Sequence, residues 1–271
     1  MMNDTVLSQW LEEDIGLGDF TTEAVVKNGL CKAKVHGGPG VLSGVSLACK
    51  LLDRYDLSYN TNFVDGNRIE GKKEIFDLEG FSHDILAIER LLLNILSHFS
   101  GISTHTARVV KVAKTTNSNL QVLATRKTTP GLRELEKEAV VHGGGSTHRM
   151  RLDDAILIKD NHLKLFPDIS EAVTSSRDKY PDLMIEVEAD NLNQAIDGVK
   201  AGADRIMLDN FTVEDAKFAY LKLKEISDVD IEISGGITLD NIAKFAPYAD
   251  YISLSSLTMA SIPVDFSLHV L

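Results

Sequence analysis

The chain has 271 residues, 44% of them hydrophobic and 25% charged, with a formal net charge of −12. That length supports one large domain or two modest ones. The acidic balance excludes a broad basic footprint for nucleic acid or an anionic membrane, so a site for an anionic ligand must be local.

Residues 1–14 carry no apolar run of signal-peptide length, and no window approaches ~20 apolar residues. Neither a secretory leader nor a membrane span is expected. The cysteines are Cys31 and Cys49, with no zinc-spaced Cys/His cluster. A disulfide between them is left open and nothing requires it. These features lead us to expect a cytoplasmic protein with reduced thiols and no nucleic-acid or membrane partner.

Residues 5–13 read as an amphipathic helix carrying Val6, Leu7, Trp10 and Leu11. The following GLGDFTT is a glycine-marked loop in which Asp19 or Thr21 can cap the next turn. Residues 31–36 alternate as a weak strand, 37–40 form a Gly/Pro turn, and 45–52 have helical spacing. Residues 63–80 read as strands, with Asp65-Gly66 as a hairpin signal. Their D-G-x-x-[IV]-x-x-G pattern also occurs in biotinyl and lipoyl carriers, but no Lys in a short exposed hairpin follows, so no prosthetic group is expected. Residues 83–114 read as a long helix or helix pair with Ile85, Ile88, Leu92, Ile95, Leu96 and Phe99 as its buried stripe. Glu89 and Arg90 interrupt that stripe. A buried Arg90 would need an anionic partner, and Glu89 cannot face it from the adjacent helix position.

From about residue 118 strands and helices alternate. The predicted strands are 120–125, 155–159, 183–189, 205–209, 229–234 and 251–255, and the predicted helices 132–141, 169–179, 191–201, 212–226 and 238–245. This is an α/β pattern of parallel strands joined by right-handed crossovers, as a (β/α) barrel or an open doubly wound sheet. Polar residues recur at the C-terminal strand ends: Arg126 and Lys127, Lys159, Glu188, Asp209, Ser234, Ser255. In barrels that rim carries the active site. No G-x-G-x-x-G or Walker sequence follows a strand.

One stretch concentrates the chemistry: ATRKTTPGLRELEKEAVVHGGGSTHRMRLDDAILIKDNH, residues 124–162. Thr125-Arg126-Lys127 and Lys159-Asp160 each follow an apolar run, and His148-Arg149 follows a triple glycine. Pro130-Gly131 fits a turn before the helix. The glycines suit its end and would let a ligand approach the main chain. The alternating charges of residues 134–138 read as a solvated helix face. The cations, by contrast, cluster at strand ends, which suits a substrate with several anionic groups.

TRKTTPGLR, EKEAVVHGGGSTHR and LIKDNH, in this order and spacing, closely resemble quinolinate phosphoribosyltransferases, the carboxylating nicotinate-nucleotide pyrophosphorylases. The resemblance extends over nearly the whole chain: Asp14 to Thr22, the Glu89-Arg90 helix, IEVEADN, IMLDN and ISGGI all match family segments. It implies an N-terminal α/β sandwich domain (1–114) with a long helix. An incomplete (β/α) barrel of the type II phosphoribosyltransferase kind (115–260) would follow, with a tail (261–271) returning to the first domain. The implied reaction joins quinolinate to phosphoribosyl pyrophosphate and releases pyrophosphate and CO2 to give nicotinate mononucleotide, in NAD biosynthesis.

By position and resemblance Arg126, His148, Arg149 and Lys159 line the quinolinate side, with Arg90 supplied by a second subunit. Homodimers, or multiples of them, would then share sites. Thr125 also borders the substrates, and Lys127 lies between them. Glu188 and Asp209 suit the ribose hydroxyls and a Mg2+ held mainly by the pyrophosphate, for which they are candidate ligands. Ser234, Gly235 and Gly236, with Ser255 and Ser256, stand where barrels place phosphate. Lys127, Lys159, Glu188 and Asp209 are the expected catalytic groups, with no organic cofactor. The chain departs from the family pattern at Ser255 for Gly, Met259 for His and Arg151 for Gly. Three alternatives share these features: the relative encoded in molybdenum-transport operons, another barrel enzyme acting on sugar phosphates, and a catalytically silent phosphate- or dicarboxylate-binding protein. Intact TRKTTPG and LIKDNH, and the Arg126/Arg149 pair, favour the quinolinate enzyme.

Overall fold

The computed structural model describes residues 2–166 and 168–271. The first elements are α1 (Met2–Ile15), α2 (Phe20–Val25), β1 (Leu30–Gly37), β2 (Gly40–Val41), α3 (Val45–Arg54), β3 (Ser58–Asn60), β4 (Arg68–Ile69), β5 (Lys73–Phe81) and α4 (Ser82–Ala113). Next come β6 (Gln121–Ala124), α5 (Arg133–His142), β7 (Ser146–Thr147), β8 (Ile156–Ile158), α6 (Asp160–Leu165), α7 (Ile169–Lys179), β9 (Ile185–Ala189) and α8 (Leu192–Lys200). The last are β10 (Arg205–Asp209), α9 (Val213–Ile226), β11 (Asp230–Ser234), α10 (Ile242–Phe245), β12 (Tyr251–Leu254), α11 (Ser256–Met259) and β13 (Phe266–Val270). Two compact units result. One takes in the residues up to His105, with Val141–Gly144 and Ser261–Leu271; the other is Thr106–Val140 with Gly145–Ala260.

The first unit is built on an antiparallel sheet ordered β13-β1-β5-β3. Ala33 and Val35 of β1 are fully buried, the inward half of a period-two pattern. Gly37 pairs with Phe266, whose ring lies 2.2 Å from where a Cβ on Gly37 would stand, so only glycine fits. The hairpin expected at Asp65-Gly66 is not one. The Asp65 carboxylate accepts hydrogen bonds from Val45 N (2.7 Å) and Ser46 N (3.0 Å), capping α3. Turn chemistry was legible there, but its use is tertiary. Strand β3 was not anticipated. Cys31 and Cys49 are free thiols.

Helix α4 buries Ile85, Ile88, Leu92, Leu96 and Phe99 on its inward stripe. By length and composition it could cross a membrane, contrary to the expectation from hydropathy, but most of its apolar window is buried within the protein. Arg90 is exposed on the outer side of the helix, which corrects the premise of a buried Arg.

The second unit holds a curled, seven-stranded parallel sheet ordered β7-β6-β12-β11-β10-β9-β8. β7 and β8 are its edges, so the barrel is incomplete. Ser146–Thr147 is the strand that sequence patterning missed, because two residues carry no periodicity. Along the interior strands the residues alternate. Ile185, Val187, Ile206, Leu208, Ile231, Ile233 and Ile252 are buried on one face. Glu186, Glu188, Met207, Asp209, Glu232, Ser234 and Ser253 take the other. Register aligns Glu188 with Met207, Met207 with Glu232, and Asp209 with Ser234.

The helix expected over 238–245 begins only at Ile242. Asn241 Oδ1 accepts from Thr238 N (2.8 Å) and its Nδ2 donates to Gly236 O (3.0 Å), local bonds that compete with a helical turn. The charges of α5 are not all solvated either: Glu136 and Lys137 are 0% and 1% exposed.

Candidate active site

A pocket of about 510 Å3 opens within the second unit, lined by Thr125, Arg126, Lys127, His148, Arg149, Leu157, Lys159, Glu188, Met207, Asp209, Glu232, Ser234 and Ser253. It gathers nine expected residues from separate strand ends, and adds Leu157, Met207, Glu232 and Ser253, which were not singled out. A larger groove runs among Asp160, Asp168, Asp190 and Asp197, with Lys164 and Lys200. Four carboxylates against two ammoniums make it a poor seat for an anion. The pocket carries the opposite balance at one end. Arg126 is close enough to Arg149 to raise the cost of its charge, and Arg126 Nε is buried without a hydrogen-bond partner. Burial, then Arg126, holds the Arg149 guanidinium below its ordinary pKa. Arg149 Nη1 donates to Ala155 O (3.3 Å), but two clustered guanidiniums, one with a buried unpartnered N–H, still suit an anion with paired oxygens.

The His148-Arg149 segment is set from below. Lys137 Nζ donates to His148 O (2.8 Å) and Arg149 O (2.7 Å), and burial pushes that ammonium down to about 8. His148 Nδ1 accepts the Arg149 backbone N–H (2.8 Å), so the ring proton sits on Nε2, which donates to Glu186 Oε2 (2.8 Å). Burial also lowers the His148 pKa. His148 therefore reaches the pocket as a neutral ring with both nitrogens engaged in the protein, rather than as a free cation.

Beneath it lies a pair of buried acids. Glu186 and Glu232 are each 0% exposed. Arg205 Nη1 stands 3.5 Å from Glu232 Oε2, and its guanidinium carbon lies 3.8 Å from the centre of the Tyr251 ring. Oε1 of each acid is buried without a hydrogen-bond partner. Burial and the nearness of a like charge both favour the protonated form of a carboxyl. Burial pushes Glu186 up to about 7, and burial with the Glu186 charge does the same to Glu232. His148, Glu186 and Glu232 have metal-ligating atoms within 4.8 Å of one another. Yet the Arg205 guanidinium and the protonated Nε2 face that space, which makes it a poor seat for a cation. A signal for these acids existed: IEVEA and DIEIS place Glu at alternate positions of strands whose other face is wholly apolar.

At the other end the Lys159 ammonium is hydrogen-bonded to Glu188. The His162 ring of KDNH accepts the Lys159 backbone N–H (2.9 Å), a structural task. Burial, then the Glu188 charge, raises the Asp209 pKa. Asn210 Nδ2 donates to Asp209 Oδ2 (2.6 Å). Ser234, the next strand over, accepts from Ser253 Oγ (3.1 Å).

Of the described residues, Gly235, Gly236, Ser255 and Ser256 follow β11 and β12 but do not line the pocket, and Arg90 belongs to the first unit. Gly235 has a φ of +83°, and a Cβ there would stand 2.3 Å from Asn210 Oδ1, so the protein itself already requires glycine at this position. At Gly236, with φ +64°, the space is open, with nothing within 4 Å. In the triple glycine, a Cβ on Gly145 would meet Val140 and Thr106 at 2.8 and 2.9 Å; protein packing, not a ligand, fills that space. Thr258 Oγ1 donates to Lys127 O (2.7 Å), tying the last loop to the pocket lysine, while Met259 points to solvent, 60% exposed.

Glu188 and Asp209 fit a divalent cation. They stand on adjacent strand ends, each retains an oxygen beyond its Lys159 or Asn210 bond, and Asp209 already feels unneutralised negative charge.

Residues 19–100 match the N-terminal domain of quinolinate phosphoribosyl transferase and residues 102–269 its C-terminal domain. A probable carboxylating nicotinate-nucleotide pyrophosphorylase of Methanocaldococcus jannaschii is 39% identical over 280 residues, covering 98% of this chain and 96% of that one. The rat protein named nicotinate-nucleotide pyrophosphorylase [carboxylating] is 34% identical over 97% of this chain and 89% of its own length. Among solved structures, the nicotinate-nucleotide pyrophosphorylase of Francisella tularensis superposes with a TM-score of 0.93 at 32% identity, covering 100% of this chain and 96% of that one. With both domains matched in order and the fold shared end to end, the chain belongs to the quinolinate phosphoribosyl transferase family.

Proposed function

We propose that the protein transfers the phosphoribosyl group of phosphoribosyl pyrophosphate to quinolinate, with loss of CO2 and pyrophosphate, to form nicotinate mononucleotide. The observation that carries this is the Arg126/Arg149 pair, half-buried at one end of a pocket whose other end holds Glu188 and Asp209. Two guanidiniums match adjacent carboxylates on a ring. Glu188 and Asp209 suit ribose hydroxyls.

The ring nitrogen of quinolinate attacks C1 of the ribose and the C1–oxygen bond to pyrophosphate breaks. The ribose passes through an oxocarbenium-like state that a nearby carboxylate stabilises. Lys127 is placed to take up charge on the leaving group. When bound, Mg2+ would neutralise pyrophosphate oxygens, held by Glu188 and Asp209. As the adjacent C–CO2 bond breaks, its electron pair stays on the ring carbon, stabilised by the positive charge of the quaternised nitrogen; CO2 leaves, and that carbon takes a proton from solvent. The protein positions the reactants and supplies fixed charge, so no covalent nucleophile is needed.

The working unit we propose is a cytoplasmic homodimer. Arg90, exposed on the single chain, is available to the site of a second copy. With quinolinate, phosphoribosyl pyrophosphate and Mg2+ the protein should release CO2 and pyrophosphate. Equal use of nicotinate, which lacks the departing carboxylate, would overturn the dicarboxylate assignment. No turnover at all would favour the silent binding protein.

A further inference from the structure

Among the described non-glycine residues only Asp56 and Asn210 have positive φ, and Asn210 (φ 58°) directly follows Asp209, which lines the pocket. Asn is among the few residues that tolerate this backbone, because its short polar side chain can bond locally. Here three contacts hold it. Its backbone N–H donates to Ser234 O (2.9 Å), tying the end of β10 to the end of β11. Its Nδ2 donates to Asp209 Oδ2 (2.6 Å). Its Oδ1 and Cγ sit 2.3 and 2.6 Å from the place a Cβ of Gly235 would take. A carboxylate only accepts, so the amide nitrogen must be the end that faces Asp209. The missing side chain at Gly235 is thus what lets the carboxamide turn back onto Asp209.

We propose that Asn210 is a positioning residue: its left-handed backbone and the side-chain space left by Gly235 aim its amide at Asp209 and fix the direction of that carboxylate toward the ribosyl substrate. Adjacent residues in a strand point to opposite faces, so an extended Asn210 would carry its amide away from Asp209. The left-handed turn removes that constraint. Met207 and Glu188 border the pocket beside Asp209 without donating to it, and among the described residues the side-chain donor to Asp209 is the Asn210 amide. The proposal rests on the assignment of phosphoribosyl pyrophosphate to this pocket, and its test separates the two.

The variant is Asn210→Gly, which keeps the positive φ without strain and deletes only the carboxamide. Binding of phosphoribosyl pyrophosphate, measured by calorimetry with Mg2+, should weaken about tenfold, as expected for loss of a charge-assisted hydrogen bond. Its KM should rise in step, with quinolinate binding unchanged. In an Asp209→Ala background the same substitution should have no further effect. Unchanged affinity of Asn210→Gly overturns the proposal, as does an equal loss of quinolinate binding or a full loss that persists without Asp209. If the wild-type protein itself binds no phosphoribosyl pyrophosphate, the assignment of the pocket fails first. Asn210→Asp, which accepts the backbone but sets a second carboxylate against Asp209, should weaken binding more than Gly; a milder effect than Gly would also count against the proposal.

Discussion

Replacing Glu232 by Gln removes the ionisable group from one member of the buried acid pair. In the wild type, burial pushes Glu232 from its ordinary 4.5 up to about 7. A carboxyl whose pKa is raised in the folded state has no such cost below pH 4.5. As pH rises, the unfolded chain releases the proton while the folded chain must keep it. Stability therefore falls between about pH 4.5 and 7. At ~1.4 kcal/mol per pKa unit, the loss is roughly 3 kcal/mol for one group at 0% exposure. Glu232→Gln holds its hydrogens at every pH, so the loss disappears from the variant. Melting followed by calorimetry at pH 5 and pH 8 should show the variant gaining on the wild type by several degrees as pH rises, since ~1 kcal/mol moves the midpoint of a 150–250-residue domain by about 2–4 °C. Glu232→Leu should instead lower stability at both pH values by leaving Arg205 without this partner. A difference between Glu232→Gln and wild type that does not change with pH would refute the raised pKa of Glu232.

Three further outcomes bear on the pocket. Arg149→Ala should weaken quinolinate binding by ~2–5 kcal/mol, with a smaller effect on phosphoribosyl pyrophosphate; equal losses in calorimetry would displace the carboxylate assignment. Met259→His should leave kcat/KM nearly unchanged because Met259 is exposed, and a large loss would show that the last loop depends on methionine. Arg90→Ala and Lys159→Ala, each nearly inactive alone, should recover roughly a quarter of wild-type activity when dissociated and remixed, since about half the dimers become mixed and carry one intact site. Confirmed exchange without recovery would place Arg90 outside the neighbouring site.

The parts of the site visible in sequence are those where chemistry breaks a local pattern. TRK and KDNH end apolar runs in charge, and the strands that deliver them lie within a residue or two of the predicted spans. The hidden parts are those whose meaning is long-range. Lys137 sits in an alternating run of charges, and only the backbone carbonyls of residues 148 and 149 explain its burial. Glu186 and Glu232 look like polar interruptions until parallel pairing brings β9, β10 and β11 together. Asn210 follows Asp209 as any loop residue might; its left-handed turn depends on Gly235, which lies on another strand end. At Asp65 the turn residue was legible, but the helix it caps lies some 20 positions earlier, and no local rule reports that.

The edges of the barrel sheet have a consequence for solubility. An open parallel sheet ends in unpaired N–H and C=O groups, the template on which other chains add as strands. Here those ends are β7, with 2 residues, and β8, with 3. So short a ladder gives an incoming strand too few hydrogen bonds to register against. Residues on both sides discourage a match as well: Gly144, with φ +84°, precedes β7, and Lys159 and Asp160 break off β8. An interior that keeps one side of the barrel open thus avoids the aggregation that a longer edge would invite.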